Sequence, residues 1–191
     1  MLAAGNNRDT PVLLVFAGPN GSGKSTATRS MPAFGVYINA DDLMEEYGLS
    51  DLEAAQQAEA LRNKLLAERA SFSFETVLST ERNLAFMQKA KDLGYEVQCI
   101  YVLTCSPDIN AARVKSRVEA GGHDVPEEKI YGRYYRALAL LPLVMSICDK
   151  MLVYDNSVAP ALILRKDGAG TEQYPSAIWP KERLAALLGR D

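Results

Sequence analysis

Apolar residues run unbroken through Val12–Ala17 (VLLVFA) and return in Gly35–Asn39 (GVYIN), Phe72–Leu78 (FSFETVL), Tyr95–Leu103 (YEVQCIYVL) and Met151–Tyr154. Short apolar runs bounded by Gly, Pro, Asn or Asp predict strands, and runs without polar alternation predict strands covered on both faces. Helical stretches separate them. Ser25–Met31 is helix-compatible and stopped by Pro32, and Leu43–Tyr47 is a second short helix. Ser50–Ala70 carries Leu52, Ala55, Leu61, Leu65 and Leu66 at helical spacing. Thr80–Leu93 follows, with Ser79 or Thr80 as its cap and Gly94 to end it. Ser106-Pro107-Asp108 opens a helix that continues as Ile109–Glu119, and Glu127–Leu141 is the next. Alternation of this kind predicts an α/β chain, three layers α/β/α around a five-stranded, mainly parallel sheet. Ala161–Arg165 and Gln173–Trp179, separated by Lys166–Gly170, predict a small C-terminal hairpin; Pro180–Leu188 is a closing helix, and Trp179 a packing residue.

Composition narrows the class. With 191 residues, 48% of them hydrophobic, the chain suits one domain spanning residues 1–191, residues 1–10 being a flexible lead. Lys plus Arg number 21 against 24 Asp plus Glu, a net charge of −3, so no global basic field marks a nucleic-acid or membrane-surface binder. Cys99, Cys105 and Cys148 lie far apart without CxxC spacing, which favours reduced thiols and a cytoplasmic location over a disulfide scaffold or zinc site. The N-terminal stretch has no basic region followed by a long apolar core, and no run of 18 apolar residues occurs, so neither export nor membrane spanning is expected.

Directly after the first strand stands Gly18-Pro19-Asn20-Gly21-Ser22-Gly23-Lys24-Ser25, followed by Thr26, which satisfies G-x-x-x-x-G-K-[ST] at every fixed position. A phosphate chain must be wrapped by backbone N–H groups, which requires a glycine-rich loop of unusual dihedral angles feeding a helix N-terminus. Lys24 suits the β and γ phosphates and Ser25 a Mg²⁺ ion, so binding of a nucleoside triphosphate such as ATP is expected. The motif leaves open what is done with the nucleotide.

Other candidates fall on the same rim, where parallel strands end and ligands bind in open α/β sheets. Asp41 and Asp42 follow the second strand; one of them is expected to cap the next helix and the other to face the ligand. Glu75 is a carboxylate inside a strand, costly there unless paired or near a metal, and is a candidate for Mg²⁺ or substrate, with Thr76 beside it. Arg113, Lys115 and Arg117 precede a glycine loop, Ala120–Pro126, and Lys129, Arg133 and Arg136 follow it. Cations on both sides of a hinge suit a lid over residues 113–136 that covers the phosphates. The sole histidine, His123, is either a lid residue meeting phosphate or substrate, or a surface residue. Tyr131, Tyr134 and Tyr135 are read as core in preference to base-stacking residues. Asn156, after the last core strand, is a candidate for the nucleotide base.

Taken together, the GPNGSGKS loop, Asn39-Ala40-Asp41, Phe74-Glu75-Thr76 and, most specifically, RVEAGGHDVPEEKIYGRYYRAL resemble the compact branch of the zeta toxin family over residues 12–157. The resemblance implies a P-loop kinase-like fold and transfer of the ATP γ-phosphoryl to a hydroxyl, with UDP-N-acetylglucosamine or a related UDP-sugar as small-molecule acceptor and an antitoxin protein as possible partner. By the same resemblance Lys24 and Ser25 match the phosphate and Mg²⁺ ligands, Asp41 the carboxylate that takes the acceptor proton, and Glu75 the acidic position near the acceptor. Arg117 matches the first arginine facing the γ-phosphate, and Arg133 or Arg136 the second, with Arg133 favoured by its place before Tyr134. The Asn-Ala-Asp triplet lacks the arginine that often follows it in that family, which leaves the acceptor open. A nucleotide-dependent ATPase or switch acting on a protein is the competing reading; a polynucleotide kinase is disfavoured by the net charge.

Overall fold

In the computed structural model, which describes residues 10–29 and 34–189, the apolar run Val12–Ala17 is β1, at the centre of the fold and buried at every position. It lies between β3 (Phe72–Thr76) and β4 (Glu96–Leu103), parallel to both. The short β2 (Val36–Ile38) pairs parallel with β3, and β5 (Lys150–Asp155) parallel with β4. Five strands are therefore parallel, as the alternating pattern predicts. The sheet nevertheless has seven strands, because the C-terminal hairpin joins it: β6 (Ala161–Asp167) pairs antiparallel with β5, and β7 (Gly170–Gln173) with β6, in the order β2-β3-β1-β4-β5-β6-β7. The hairpin thus extends the core sheet, and burial of Ile163 and Leu164 ties it there. Its second strand begins three residues before the expected start, because the turn uses only Gly168 and Ala169, with Asp167 accepting from the Ala169 N–H at 2.9 Å. Residues 174–179 form no strand. Pro175 lacks the donor a ladder needs, while Trp179 is buried as expected.

Alternating residues of the central strands feed two cores. Leu13, Val15, Phe72, Phe74, Val97, Tyr101 and Met151 face a large cluster covered by α3 (Asp51–Ala67), α4 (Glu81–Asp92), α7 (Leu141–Ile147) and α8 (Lys181–Leu187). Leu14, Phe16, Ile100 and Val102 face the other side, where α1 (Lys24–Arg29) supplies Ala27. The long helix and the next one form where predicted, α3 with a reciprocal Ser50/Glu53 cap and α4 stopped before Gly94. The expected continuation of the first helix to Met31 and its stop at Pro32 lie outside the described residues, as do residues 1–9.

Three local outcomes differ from the pattern. The helix α2 spans Ala40–Tyr47, and its cap is Asn39, whose side chain accepts from the Asp41 N–H at 3.1 Å; neither aspartate caps it, and both fall in its first turn. β3 stops at Thr76, whose hydroxyl accepts from the Leu78 N–H at 3.0 Å and turns Leu78 into left-handed backbone, φ 52°. The helix predicted through Leu141 divides into α6 (Glu127–Ala139) and α7, which carries Pro142 in its first turn, where a missing N–H costs nothing.

The helix α5 (Pro107–Glu119), the Ala120–Pro126 loop and α6 share a small apolar cluster of their own, Val114, Val125 and Ile130. This unit corresponds to the expected lid region.

Candidate functional site

The phosphate loop emerges from the C-terminal end of β1 and is held by its neighbours through backbone positions. Gly21 (φ 73°) and Gly23 (φ 99°) both have left-handed dihedral angles, and a methyl group on either would collide, with the Asn110 carbonyl and the Asn156 side chain respectively. The same neighbours hold the loop: the Asn110 amide donates to the Asn20 carbonyl at 2.5 Å, and the Asn156 amide to the Ser22 carbonyl at 2.8 Å. Asn156 was expected to meet a nucleotide base. In the structure its amide nitrogen braces the loop. Buried Asp155 accepts from the Ser157 hydroxyl at 2.5 Å, and Ser157 in turn accepts from the Cys105 N–H at 2.8 Å, which fixes the β5 exit loop carrying Asn156.

Inside the loop Lys24 donates to the Pro19 carbonyl at 3.0 Å. Burial pushes the Lys24 ammonium down to about 8, against an opposing pull from Glu75 and Asp41; Arg117 adds to the lowering.

Ser25 donates from its hydroxyl to both oxygens of Glu75, at 3.1 and 3.2 Å. The two are brought together by β1–β3 pairing, in which Phe16 stands opposite Glu75. Glu75 also accepts from the Tyr37 hydroxyl at 2.7 Å and the Asn39 amide at 3.2 Å. Burial, and then the Glu75 carboxylate, push the Tyr37 phenol far up. Neighbouring ligands in an octahedral Mg²⁺ shell at about 2.1 Å stand roughly 3 Å apart, and such ions are held by one or two carboxylates plus substrate phosphates. Ser25 and Glu75 fit that requirement. Among the described residues no group of three or more His, Cys, Asp or Glu is placed to hold a metal by protein ligands alone.

Asp41 is exposed in the first turn of α2, close enough to Lys24 to act on its charge. Asp42 faces a different group, accepting from the Asn39 amide at 3.0 Å, and burial followed by Asp41 raises its carboxyl. Arg133 reaches the loop from α6, its guanidinium 3.3 Å from the Asn20 side-chain oxygen. Arg136, one turn later, is exposed, with its guanidinium over Gly132. Arg117 donates to the His123 carbonyl at 2.8 Å. His123 lies 3.8 Å from Asp51 at the start of α3, so the glycine loop leans on the helix across the cleft. Thr76 is turned toward α4, where its hydroxyl accepts from Asn83 at 2.7 Å. Of the three tyrosines read as core, only Tyr134 is buried; Tyr131 bonds Asp108, and Tyr135 is 62% exposed.

Three supports escaped sequence reasoning. Tyr37 sits on a three-residue edge strand among apolar neighbours, and nothing in that pattern distinguishes it from a packing residue. Asn110 is fully buried on the inward face of α5, in line with Val114, and a polar residue at such a position was its one legible signal. Arg113 donates to the Ser157 carbonyl at 3.4 Å, and its place in a basic run hid that role.

The AAA domain family AAA_33 matches residues 13–133, which include the phosphate loop, Asp41, Glu75 and Arg133. The chain belongs to this family. An uncharacterized protein of Haemophilus influenzae is 31% identical over 127 residues, 63% of this chain and 91% of that protein. Among solved structures, AvrRxo1-ORF1:AvrRxo1-ORF2 with sulphate ions is similar with a TM-score of 0.71 at 14% identity, over 91% of this chain and 64% of that one. The chain thus spans less than two thirds of that neighbour. The AvrRxo1-ORF1:-ORF2 structure with ATP gives 0.67 at 14% identity, over 86% and 60%. A structure of the PezAT chromosomal toxin-antitoxin system of Streptococcus pneumoniae gives 0.55 at 19%, over 97% and 87%. At these identities the likeness is one of fold, and it bears out the zeta-toxin-like, P-loop kinase-like fold expected from the motifs. No described helix is long and apolar enough to cross a membrane.

Proposed function

We propose that this chain is an ATP-dependent phosphotransferase of zeta-toxin type, a kinase that passes the γ-phosphoryl of ATP to a hydroxyl of a small molecule. The supporting observation is the convergence at one rim of Lys24, Ser25 and Glu75, with Asp41 acting on Lys24 and Arg133 reaching the loop. The family match and the ATP named with one structural neighbour agree with nucleotide as the ligand.

In this reading the loop N–H groups hold the phosphate chain, and Lys24 neutralises its β and γ phosphates. Ser25 and Glu75 would hold Mg²⁺, which when bound would offset the charge of the phosphates. Asp41 orients the acceptor hydroxyl and takes its proton as the new oxygen–phosphorus bond forms and the bond to the departing ADP oxygen breaks. Arg133 and Arg117 offset charge on the transferred group, and the loop around His123 closes the cleft against water. A UDP-sugar such as UDP-N-acetylglucosamine is the candidate acceptor, on the family resemblance alone. A protein antitoxin is the candidate partner, supported by the toxin-antitoxin system named with one neighbour. The three unpaired cysteines agree with a cytoplasmic location.

The test is incubation of protein and ATP with UDP-N-acetylglucosamine and with a metabolite extract, the products being identified by mass spectrometry. The wild type yields a phosphorylated metabolite, and Asp41→Asn abolishes it while ATP still binds; retained transfer in that variant removes Asp41 from its role. The AAA domain match also favours a second reading, a nucleotide-dependent ATPase or switch acting on a protein. ATP hydrolysis stimulated by a protein, with no phosphorylated metabolite, would select it.

A further inference from the structure

We propose that Tyr37, with Asn39 beside it, is a positioning residue for metal-assisted nucleotide binding, holding one oxygen of Glu75 so that the carboxylate stays turned to Ser25. The inference rests on the nucleotide-site reading above and assigns it a residue that neither the motif nor the family resemblance names.

The geometry is specific. Glu75 Oε2 accepts from the Tyr37 hydroxyl at 2.7 Å and from the Asn39 amide at 3.2 Å, while the Ser25 hydroxyl lies against both carboxylate oxygens, 3.1 Å from Oε1 and 3.2 Å from Oε2. The Tyr37 ring is itself fixed, edge-on to Phe16 with centroids 6.4 Å apart, and its backbone is paired with Ser73 two residues before Glu75. A glutamate has three rotatable side-chain bonds, and Glu75 also feels the Lys24 ammonium. Without the Tyr37 and Asn39 donors the carboxylate is free to turn from Ser25 toward that cation, and the hydroxyl–carboxylate pair that suits Mg²⁺ is lost. Groups that orient metal-binding side chains commonly alter metal affinity by about 10- to 100-fold when removed. Phenylalanine would keep the ring packing against Phe16, so the hydroxyl is the part with a role in the site.

The experiment is equilibrium binding of ATP, with Mg²⁺ and with EDTA, to the wild type, Tyr37→Phe, Glu75→Gln and the double variant, each with its melting temperature. Mg²⁺ strengthens ATP binding to the wild type. Tyr37→Phe reduces that gain by about tenfold, leaves binding in EDTA within about twofold, and adds nothing in the Glu75→Gln background. An unchanged metal-dependent gain in Tyr37→Phe overturns the role, as does equal weakening with and without metal, or an effect that persists without Glu75. A wild type that binds no ATP under either condition overturns the nucleotide-site reading itself, and this inference with it.

Discussion

The guanidinium of Arg133 on α6 meets the side-chain oxygen of Asn20 in the phosphate loop at 3.3 Å, across 113 residues of sequence. Arg136, on the same helix, is exposed and lies over Gly132. In sequence only its place before Tyr134 favours Arg133, and the two side chains have different surroundings in the fold. A cation that offsets charge on a transferred phosphoryl group commonly contributes about 10³-fold or more to the rate. Arg133→Ala should therefore lower ATP turnover by at least about 100-fold, and Arg136→Ala by less than about threefold. Steady-state rates at saturating ATP compare them, and equal losses would remove the distinction.

Asn156 holds the loop from the far side, through the Ser22 carbonyl at 2.8 Å. Asn156→Ala removes that donor and should weaken ATP binding by about fivefold to tenfold, the effect of about one net hydrogen bond. Gly23→Ala should be worse, because the added methyl collides with Asn156 and the residue sits at φ 99°. The double variant should not recover binding, since deleting the Asn156 side chain relieves the collision but not the backbone strain. Titration with a fluorescent nucleotide orders the three, and recovery in the double variant would assign the whole effect to the clash.

Five parallel strands and the phosphate loop were legible because buried parallel strands read as continuous apolar runs, as Val12–Ala17 does, and because the loop motif is a direct record of backbone geometry. Glu75 was legible as a carboxylate out of place in a strand. The supports of the site were not. The link from Asn110 to Asn20 spans 90 residues, and those from Tyr37 and Asn39 to Glu75 span 38 and 36. Contacts of that range are set by sheet order, which local pattern does not encode. The hairpin was misjudged for a related reason: whether β6 stands apart or extends the sheet depends on the open edge of β5. The cap was misassigned to one of the two aspartates because the helix begins at Ala40, three residues before the expected Leu43, which leaves Asn39 at the cap.

Asn110 offers a stability test of that hidden layer. Its side chain donates to the Asn20 carbonyl at 2.5 Å and also pairs with the Thr104 hydroxyl, with all of its surface buried. Asn110→Ala leaves buried polar groups without partners, at a cost of about 2 kcal/mol, which for a chain of this size lowers the melting temperature by about 4–8 °C. Binding of ATP should weaken too, since Asn20 then loses its backbone anchor. Calorimetry measures the first effect and nucleotide titration the second; a variant that melts like the wild type would contradict the role given to this residue.

Lys24 makes the site sensitive to pH. Burial lowers its ammonium from 10.5 to about 8 in the free protein. Below pH 8 the group is charged both folded and unfolded, and the full cost of burying it is present. As pH rises from about 8 to 10.5 the folded state releases the proton first, so this group's contribution shifts in favour of the fold over that window. Nucleotide binding has the opposite dependence, because the phosphates need the cation. Affinity for ATP should be flat below about pH 7.5 and fall above pH 8, approaching tenfold per unit, with proton uptake on binding in that range. Calorimetric titration in two buffers of different ionisation enthalpy measures both. Lys24→Arg, whose guanidinium stays charged throughout, should remove the fall, whatever its affinity at neutral pH. A wild-type affinity that stays level from pH 7 to 9.5 would mean either that burial does not lower the Lys24 ammonium or that Lys24 is not the group that meets the phosphates, and loss of ATP binding at pH 7 in Lys24→Ala separates the two.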